Sequence, residues 1–146
     1  MVTVRQLLQT KSDEIWSVAP QDSVFNALQL MADRNIGVLL VIEGGKLVGI
    51  FSERDYARKV ILLGKASKAT LVSEVMTASV LYVTPGMTIE ECMALMTAKH
   101  VRHLPVIENE NILGIVTIGD VVKMVISEQK FTIQQLENYI TGRYVS

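Results

Sequence analysis

An internal repeat is the feature that most constrains this chain of 146 residues. Residues 15–61 align with residues 80–126 at a constant offset of 65 positions, and the alignment needs no gap. An aspartate occupies the same aligned position in each copy, Asp55 in the first and Asp120 in the second. Such a repeat indicates one supersecondary unit present twice, in which neither copy can cover its apolar face alone.

Each copy is predicted to have the element order β-α-β-β-α. A short apolar strand ends at a proline, and a Ser or Thr suited to a helix N-cap follows. Apolar residues at helical spacing come next, and then two β-rich runs joined by a polar turn. A second helix is predicted from about residue 54 in one copy and from about residue 120 in the other. We predict an α/β (α+β) fold, with the copies related by a pseudo-twofold axis and their sheets packed face to face.

The repeat also suggests boundaries along the chain. Residues 1–66 would form the first repeat with an N-terminal helical segment and a polar linker, and residues 67–128 would form the second. Residues 129–146 would form a C-terminal helical tail, because Phe131–Tyr139 is amphipathic.

Charge and cysteine content argue against several classes of function. The net charge of −1 provides no field that would attract nucleic acid or an anionic membrane. The single cysteine, Cys92, excludes an intramolecular disulfide and the usual zinc-ribbon spacings. The apolar runs are far shorter than the ~20 residues of a membrane-spanning helix, and the first residues do not resemble a signal peptide. We therefore expect a cytoplasmic protein with no metal, no nucleic-acid partner and no membrane partner.

Two short motifs carry a resemblance to a known family. One is the Leu-Pro-Val sequence Leu104–Val106, which appears as Leu39–Val41 in the first copy. The other is a glycine, two apolar residues, a Ser or Thr and an Asp three residues later, at Gly49–Asp55 and Gly114–Asp120. In this order the motifs resemble those of tandem CBS domains, the cystathionine-β-synthase-type repeat, over about residues 4–128.

The resemblance implies a function. Proteins of this kind bind adenosyl compounds, so the ligand would be an adenine nucleotide in the clefts between the copies. AMP is the leading candidate, with ADP, ATP, NAD and S-adenosylmethionine as the others. Two tandem pairs would form a disc-shaped homodimer. Isolated pairs are usually regulatory sensors, so we expect no enzyme activity and a regulated partner protein that the sequence does not identify.

The residues most central to binding lie where a strand passes into a helix. By resemblance, Asp55 and Asp120 would accept hydrogen bonds from ribose hydroxyls, and Ser52 and Thr117 would bind near the phosphate. The free N–H groups of a helix N-terminus also suit an anion. The alternative is a plain capping box, with Asp in place of the usual Glu or Gln, that binds no ligand.

Two arginines extend the first of these sites. Arg54 and Arg58 are spaced i, i+4 and share one helix face, where their guanidinium groups could clamp a phosphate. A solvated helix face is the alternative interpretation. The second copy has Gly119 and Lys123 at these positions, so the two clefts should differ.

Further contacts are carried over from the family by position. Arg102 and His103 would reach a phosphate from the loop before a strand, although His103 could equally be a surface or interface residue. The adenine would lie against the segment that enters the first strand and the loop before the second strand. The positions concerned are Lys11, Thr77, Ala78, Ile36 and Val101, with Gly37 beside Ile36.

Two other classes of function compete with this hypothesis. An enzyme would need a catalytic signature, and the sequence contains no P-loop, no G-x-S-x-G and no zinc-ligand spacing. A purely structural dimerisation module would keep the core pattern without needing the Ser/Thr-x-x-Asp element. Both copies retain that element, which favours ligand binding.

Overall fold

The computed structural model describes residues 1–11 and 14–141, which form two compact units. One unit, here called the Asp120 unit, is built from segments within residues 1–12, 83–106 and 115–146. The other, the Asp55 unit, is built from segments within residues 13–82 and 107–114.

Helices and strands alternate along the chain as the repeat predicts. The elements are α1 (Val4–Leu8), β1 (Ser17–Val18), α2 (Val24–Arg34), β2 (Val38–Glu43), β3 (Lys46–Ser52), α3 (Glu53–Tyr56) with a π-helical turn (Ala57–Ile61), α4 (Val72–Val75), α5 (Ile89–Lys99), β4 (His103–Glu108), β5 (Asn111–Thr117) and α6 (Ile118–Thr141). The mixed α+β fold with two repeats is therefore confirmed.

The first copy contains a three-stranded sheet in the order β1-β2-β3. β1 is parallel to β2, and β2 is antiparallel to β3 across a turn in which Gly44 and Gly45 have positive φ. All residues of Val38–Val41 are buried. A continuous apolar run of this kind is typical of a strand that is covered on both faces.

In the second copy β4 and β5 form a hairpin, and the first strand is reduced to one parallel bridge between Val83 and Val106. The sequence predicts a longer strand there. In the first copy, the N–H of Leu40 donates to the carbonyl of Trp16. Pro105 stands at the position of Leu40 and has no N–H to donate, so the corresponding ladder bond is missing.

The long helices begin at the predicted caps. Ser23 Oγ accepts the N–H of Asn26 at the start of α2, and Thr88 Oγ1 accepts the N–H of Glu91 at the start of α5. Both helices end at a left-handed residue with φ near 54°, Asn35 in α2 and His100 in α5. Asn and His are among the non-glycine residues that adopt this conformation most readily.

The short helix that precedes each repeat packs with the core of the other copy. α4 places Val72 and Val75 in the core of the Asp55 unit, and the N–H of Val72 donates to the carbonyl of Asp22 at 2.8 Å. α1 buries Val4 and Leu7 in the Asp120 unit. Each unit therefore contains residues from both sequence repeats. Domain limits after residues 66 and 128 stay a prediction.

α6 is one continuous helix of 24 residues, about 36 Å long. The sequence predicts a helix from about residue 120 and a separate amphipathic helix at Phe131–Tyr139. The structure joins them, because no Pro or Gly interrupts the chain between Gly119 and the end of the helix. The rest of the predicted tail, residues 142–146, lies outside the described residues. No helix within the described ranges is long and apolar enough to cross a membrane.

Candidate functional site

The predicted site residues fall into two sets, each inside one unit. The Asp55 unit holds Ile36, Gly37, Ser52, Arg54, Asp55, Arg58, Thr77 and Ala78. The Asp120 unit holds Lys11, Val101, Arg102, His103, Thr117 and Asp120.

The carboxylate of Asp55 is buried at the start of α3, with the residue only 7% exposed. Its Oδ2 atom accepts hydrogen bonds from the backbone N–H and the hydroxyl of Ser52, at 3.0 and 3.1 Å. Ser52 Oγ in turn accepts the N–H of Asp55. Ser52 and Asp55 therefore form the capping box that the sequence allows, and the box fixes the carboxylate at the end of β3.

The other oxygen of Asp55 faces a segment from the second copy. Oδ1 accepts a hydrogen bond from the hydroxyl of Thr77 at 3.1 Å and lies 3.1 Å from Nζ of Lys59. The backbone of Thr77 is held in place by two bonds to Ile50, its N–H donating at 2.8 Å and its carbonyl accepting at 2.9 Å. This site thus combines both sequence repeats within one unit.

Gly49 allows this close approach. A Cβ atom built on Gly49 would lie 2.5 Å from Sδ of Met76 and 3.2 Å from the carbonyl oxygen of Thr77. A glycine within a strand often marks a place where a ligand or a neighbouring backbone comes close. At Gly49 the neighbour is the chain that carries Thr77.

Asp120 repeats the capping box at the start of α6. Its Oδ2 accepts the N–H of Thr117 at 2.9 Å, and its own N–H donates to Thr117 Oγ1 at 3.1 Å. The second partner differs from that of Asp55. Nζ of Lys11 donates to the same Oδ2 at 2.6 Å and to the carbonyl of Ile115 at 2.7 Å.

Opposing effects set the pKa of Asp120. Partial burial raises the pKa, but the hydrogen bonds and charge of Lys11 and the hydrogen bonds of Thr117 outweigh it, so the pKa is lowered from its ordinary value. The Asp120 carboxylate is therefore ionised at neutral pH.

The loops before β2 and β4 meet these helix starts in the same way. The N–H of Glu53 donates to the carbonyl of Gly37 at 3.0 Å, and the N–H of Ile118 donates to the carbonyl of Arg102 at 2.9 Å. Both pairs are related by the repeat offset of 65 positions. Gly37 and Arg102 therefore occupy matching places beside the two capping boxes.

A shallow depression of about 350 Å³ lies beside the start of α3. Its lining residues are Leu28, Met31, Ala32, Asn35, Ile36, Gly37 and Glu53. Small-molecule sites usually occupy about 300–1,000 Å³, so the depression is at the lower end of that range. It contains the predicted residues Ile36 and Gly37, and its lining combines apolar side chains with the polar residues Asn35 and Glu53.

The basic residues are placed unequally around the carboxylates. Arg54 and Arg58 are exposed on the helical segment that follows Ser52, and Arg102 is exposed in its loop. Lys59 forms an ion pair with Asp55, and it is not among the site residues predicted from the sequence. Its i, i+4 spacing from Asp55 is the signal that could have identified it.

The remaining predicted residues lie next to these groups in the chain. Ala78 is exposed and follows Thr77 directly. Val101 is half-buried, and its N–H donates to the carbonyl of Met96 as α5 ends. His103 is half-buried and begins β4.

The chain is similar in sequence to proteins of one known family. The family model described as "CBS domain" matches residues 4–61 and 72–127. The chain is 38% identical to the mitochondrial CBS domain-containing protein CBSX3 of Arabidopsis thaliana, covering 97% of this chain and 73% of that protein. It is 33% identical to the CBS domain-containing protein YhcV of Bacillus subtilis, covering 76% of this chain and 79% of that protein.

Solved structures extend the comparison. A putative signal-transduction protein with CBS domains from Burkholderia ambifaria is 49% identical with a TM-score of 0.85, covering 88% of this chain and 96% of that chain. The CBS domain pair of protein MJ0100, at 22% identity and a TM-score of 0.77, covers 88% of this chain and 98% of its own. It was solved with 5-methylthioadenosine and S-adenosyl-L-methionine. A CBS-CP12 protein from bloom-forming cyanobacteria, described as hexameric, is 23% identical with a TM-score of 0.75, covering 83% of this chain and 66% of its own.

Proposed function

Because the chain belongs to the CBS domain family and carries two CBS domains, we propose that it is a non-catalytic sensor of an adenosyl compound. The observation that carries the proposal is the pair of Ser/Thr–Asp boxes at the starts of α3 and α6. Each box holds an Asp beside a segment of the other sequence repeat. Binding at such a place would stabilise the packing of both repeats, which suits a regulatory signal.

In the Asp55 unit the proposed ligand is held by groups of three kinds. The ribose hydroxyls donate to Asp55 and replace the hydroxyl of Thr77. The phosphate lies near Ser52 at the N-terminus of the helix, within reach of Arg54 and Arg58, whose guanidinium groups suit phosphate oxygens. The adenine lies against the depression that contains Ile36 and Gly37 or against the backbone of Thr77 and Ala78.

The Asp120 unit has residues that correspond to those of the Asp55 unit, but its basic residues lie at other positions. Thr117 and Asp120 correspond to Ser52 and Asp55, and Val101 corresponds to Ile36. Arg102 and His103 supply positive or hydrogen-bonding groups that the loop of the first copy lacks. Lys11 already contacts the carboxylate here.

A ligand with an adenosyl group is supported by the relative that was solved with two such compounds. AMP remains the leading candidate for this chain, with ADP, ATP, NAD and S-adenosylmethionine as its competitors. No metal is part of the proposal.

Absence of catalysis is part of the proposal, and the chemistry of the single cysteine, Cys92, gives it one point of support. Burial, and to a smaller extent the charge of Glu91, raises the pKa of the Cys92 thiol. A buried thiol of this kind is a poor nucleophile because its thiolate form is scarce at neutral pH. A cytoplasmic location stays a prediction, and the relative in Arabidopsis is named as mitochondrial.

We also propose that the chain forms a homodimer through exposed apolar residues near the end of each repeat. Ile61, Leu62 and Leu63 lie at the end of the π-helical turn that follows α3, and Val122 and Ile126 lie on α6. All five are between 45% and 77% exposed, and Ile61 and Ile126 occupy matching positions in the repeat. Exposed apolar patches often mark interaction sites on soluble proteins. The regulated partner protein is not identified by these residues.

The test is a binding panel measured by isothermal titration calorimetry. AMP, ADP, ATP, NAD and S-adenosylmethionine would be titrated into protein refolded from denaturant to remove any co-purified ligand. We expect at least one to bind, with loss of affinity of tenfold or more in Asp55→Asn. Chromatography of the mixture after incubation should return the ligand unchanged, and turnover would contradict the non-catalytic proposal.

A purely structural dimerisation module is the second candidate. It is favoured by the fact that both aspartates already have hydrogen-bond partners within the chain. The absence of binding by every compound in the panel would select it.

A further inference from the structure

The carboxylates of Asp55 and Asp120 have different hydrogen-bond and ion-pair partners. Asp55 receives a neutral hydroxyl from Thr77 and an ion pair from Lys59, whose side chain is 42% exposed and lies one turn along the same helical segment. Asp120 receives the ammonium group of Lys11, which comes from 109 positions away and whose side chain is 25% exposed. Of the two lysines, Lys59 is thus the more exposed and Lys11 the more enclosed.

Lys11 is held by two acceptors at once. An ammonium group has three donors, and Lys11 uses two of them on Oδ2 of Asp120 and the carbonyl of Ile115. Both bonds are short, and charge-assisted bonds are stronger than neutral ones. They join the N-terminal segment to the end of β5 and the start of α6. Thr77 makes no comparable charged contact, since a hydroxyl is neutral.

A ribose hydroxyl and the Lys11 ammonium group are both donors to the Asp120 carboxylate, whose Oδ2 atom already accepts the N–H of Thr117. We propose that Lys11 is an intrachain competitor for the adenosyl ligand at Asp120, so that the Asp120 site fills only when Lys11 has left. The inference rests on the proposed function and makes the two sites of one chain unequal.

Substitution of Lys11 should therefore open the second site. Lys11→Met keeps the aliphatic length of the side chain and removes the ammonium group. Asp55→Asn weakens the first site, so that titration of AMP into Asp55→Asn reports mainly on Asp120. We expect AMP to bind at least tenfold more tightly to the double variant Asp55→Asn/Lys11→Met than to Asp55→Asn alone.

The control is Lys99→Met in the same background. Lys99 is exposed in the last turn of α5 and belongs to the same unit, so it matches the change in net charge without touching Asp120. It should leave the AMP affinity of Asp55→Asn within about twofold. Lys11→Gln provides a second substitution, and circular dichroism confirms that each variant is folded.

The outcomes separate this inference from the function on which it rests. Equal AMP affinity of Asp55→Asn with and without Lys11→Met, in a wild-type protein that binds AMP, would overturn the competitor role and leave the sensor function standing. Tighter binding in Lys99→Met as well would also overturn it, because net charge alone would then explain the gain. Failure of the wild type and of every variant to bind AMP or the other adenosyl compounds would contradict the sensor function itself.

Discussion

Nζ of Lys11 lies 2.6 Å from Oδ2 of Asp120, a residue that follows it by 109 positions in the chain. The contact fixes the N-terminal segment to the second sequence repeat, and Thr77 makes the corresponding contact with Asp55 in the first. The two capping boxes therefore lie in different electrostatic settings.

The Asp120 contact should make stability depend on pH. The pKa of Asp120 is lowered in the folded protein, so the carboxylate stabilises the fold above the ordinary Asp pKa of about 3.9. This contribution is lost as pH falls through the lower folded pKa. We expect the difference in free energy of unfolding between wild type and Asp120→Asn to shrink between about pH 5 and pH 2.

Urea denaturation at several pH values measures that difference. Asp33→Asn is a suitable control, because Asp33 is exposed on α2. A wild-type advantage over Asp120→Asn that stays constant down to pH 2 would contradict the role assigned to the Lys11 contact.

Gly49 should not tolerate a side chain. The Cβ of Gly49→Ala would lie 2.5 Å from the sulfur of Met76 and 3.2 Å from the backbone carbonyl of Thr77. We expect destabilisation of about 1–3 kcal/mol, the usual cost of forcing an extra methyl group into a packed place. Equilibrium urea denaturation measures this cost.

Gly86→Ala is the matched control, since nothing lies within 4 Å of a Cβ at Gly86. The double variant Gly49→Ala/Met76→Ala should not recover wild-type stability, because the carbonyl of Thr77 remains in the way and the buried part of Met76 is lost. A neutral Gly49→Ala would show that the segment carrying Thr77 is not packed tightly on β3.

The N-cap residue Thr88 should contribute more to the stability of the protein than Thr97, which lies within α5. Thr88→Ala removes the oxygen that accepts the N–H of Glu91 at 3.1 Å, and we expect a loss of about 1 kcal/mol. Thr97→Ala removes only a hydroxyl that donates to the carbonyl of Met93 within the helix, and should change stability by less than about 0.5 kcal/mol. Thermal unfolding of the two variants under identical conditions compares them directly, and equal losses would contradict the capping role.

Dimer formation should depend on the exposed apolar residues of α6 and of the π-helical turn that follows α3. Ile126→Lys places a charge on a side chain that is 45% exposed, and we expect the dimer to become a monomer in light scattering coupled to gel filtration. Tyr82→Lys changes a residue that is 53% exposed and lies outside these helices, so it should leave the dimer intact. A wild type that is monomeric at micromolar concentration would contradict the proposed interface.

Local chemistry explains which parts of the fold were predictable. The N-caps at Ser23 and Thr88 and the glycine turn between β2 and β3 depend on neighbours in the chain, and all are confirmed. The prediction of two separate helices over α6 is wrong, because no Pro or Gly after Gly119 interrupts the helix. The short first strand of the second copy follows from Pro105, whose missing N–H could have been considered from the sequence.

Contacts between residues that are far apart in the sequence were harder to predict. Lys11 was assigned to the adenine by its position in the family pattern, whereas the structure places its ammonium group on Asp120. No local rule relates residues 109 positions apart, because such a contact depends on the path of the whole chain. Lys59 is absent from the site residues predicted from the sequence, although its spacing from Asp55 allows the ion pair.

The short helices α1 and α4 each pack in the unit built mainly from the other repeat, and this packing limits how the chain can be divided. A cut in the linker at Gly64–Thr70 would produce two fragments, and each would carry the helix that completes the core of the other. The fragments would behave as the halves of a split protein that regains its fold by complementation. Each half of the chain is therefore one of two mutually dependent pieces, and neither is expected to fold without the other.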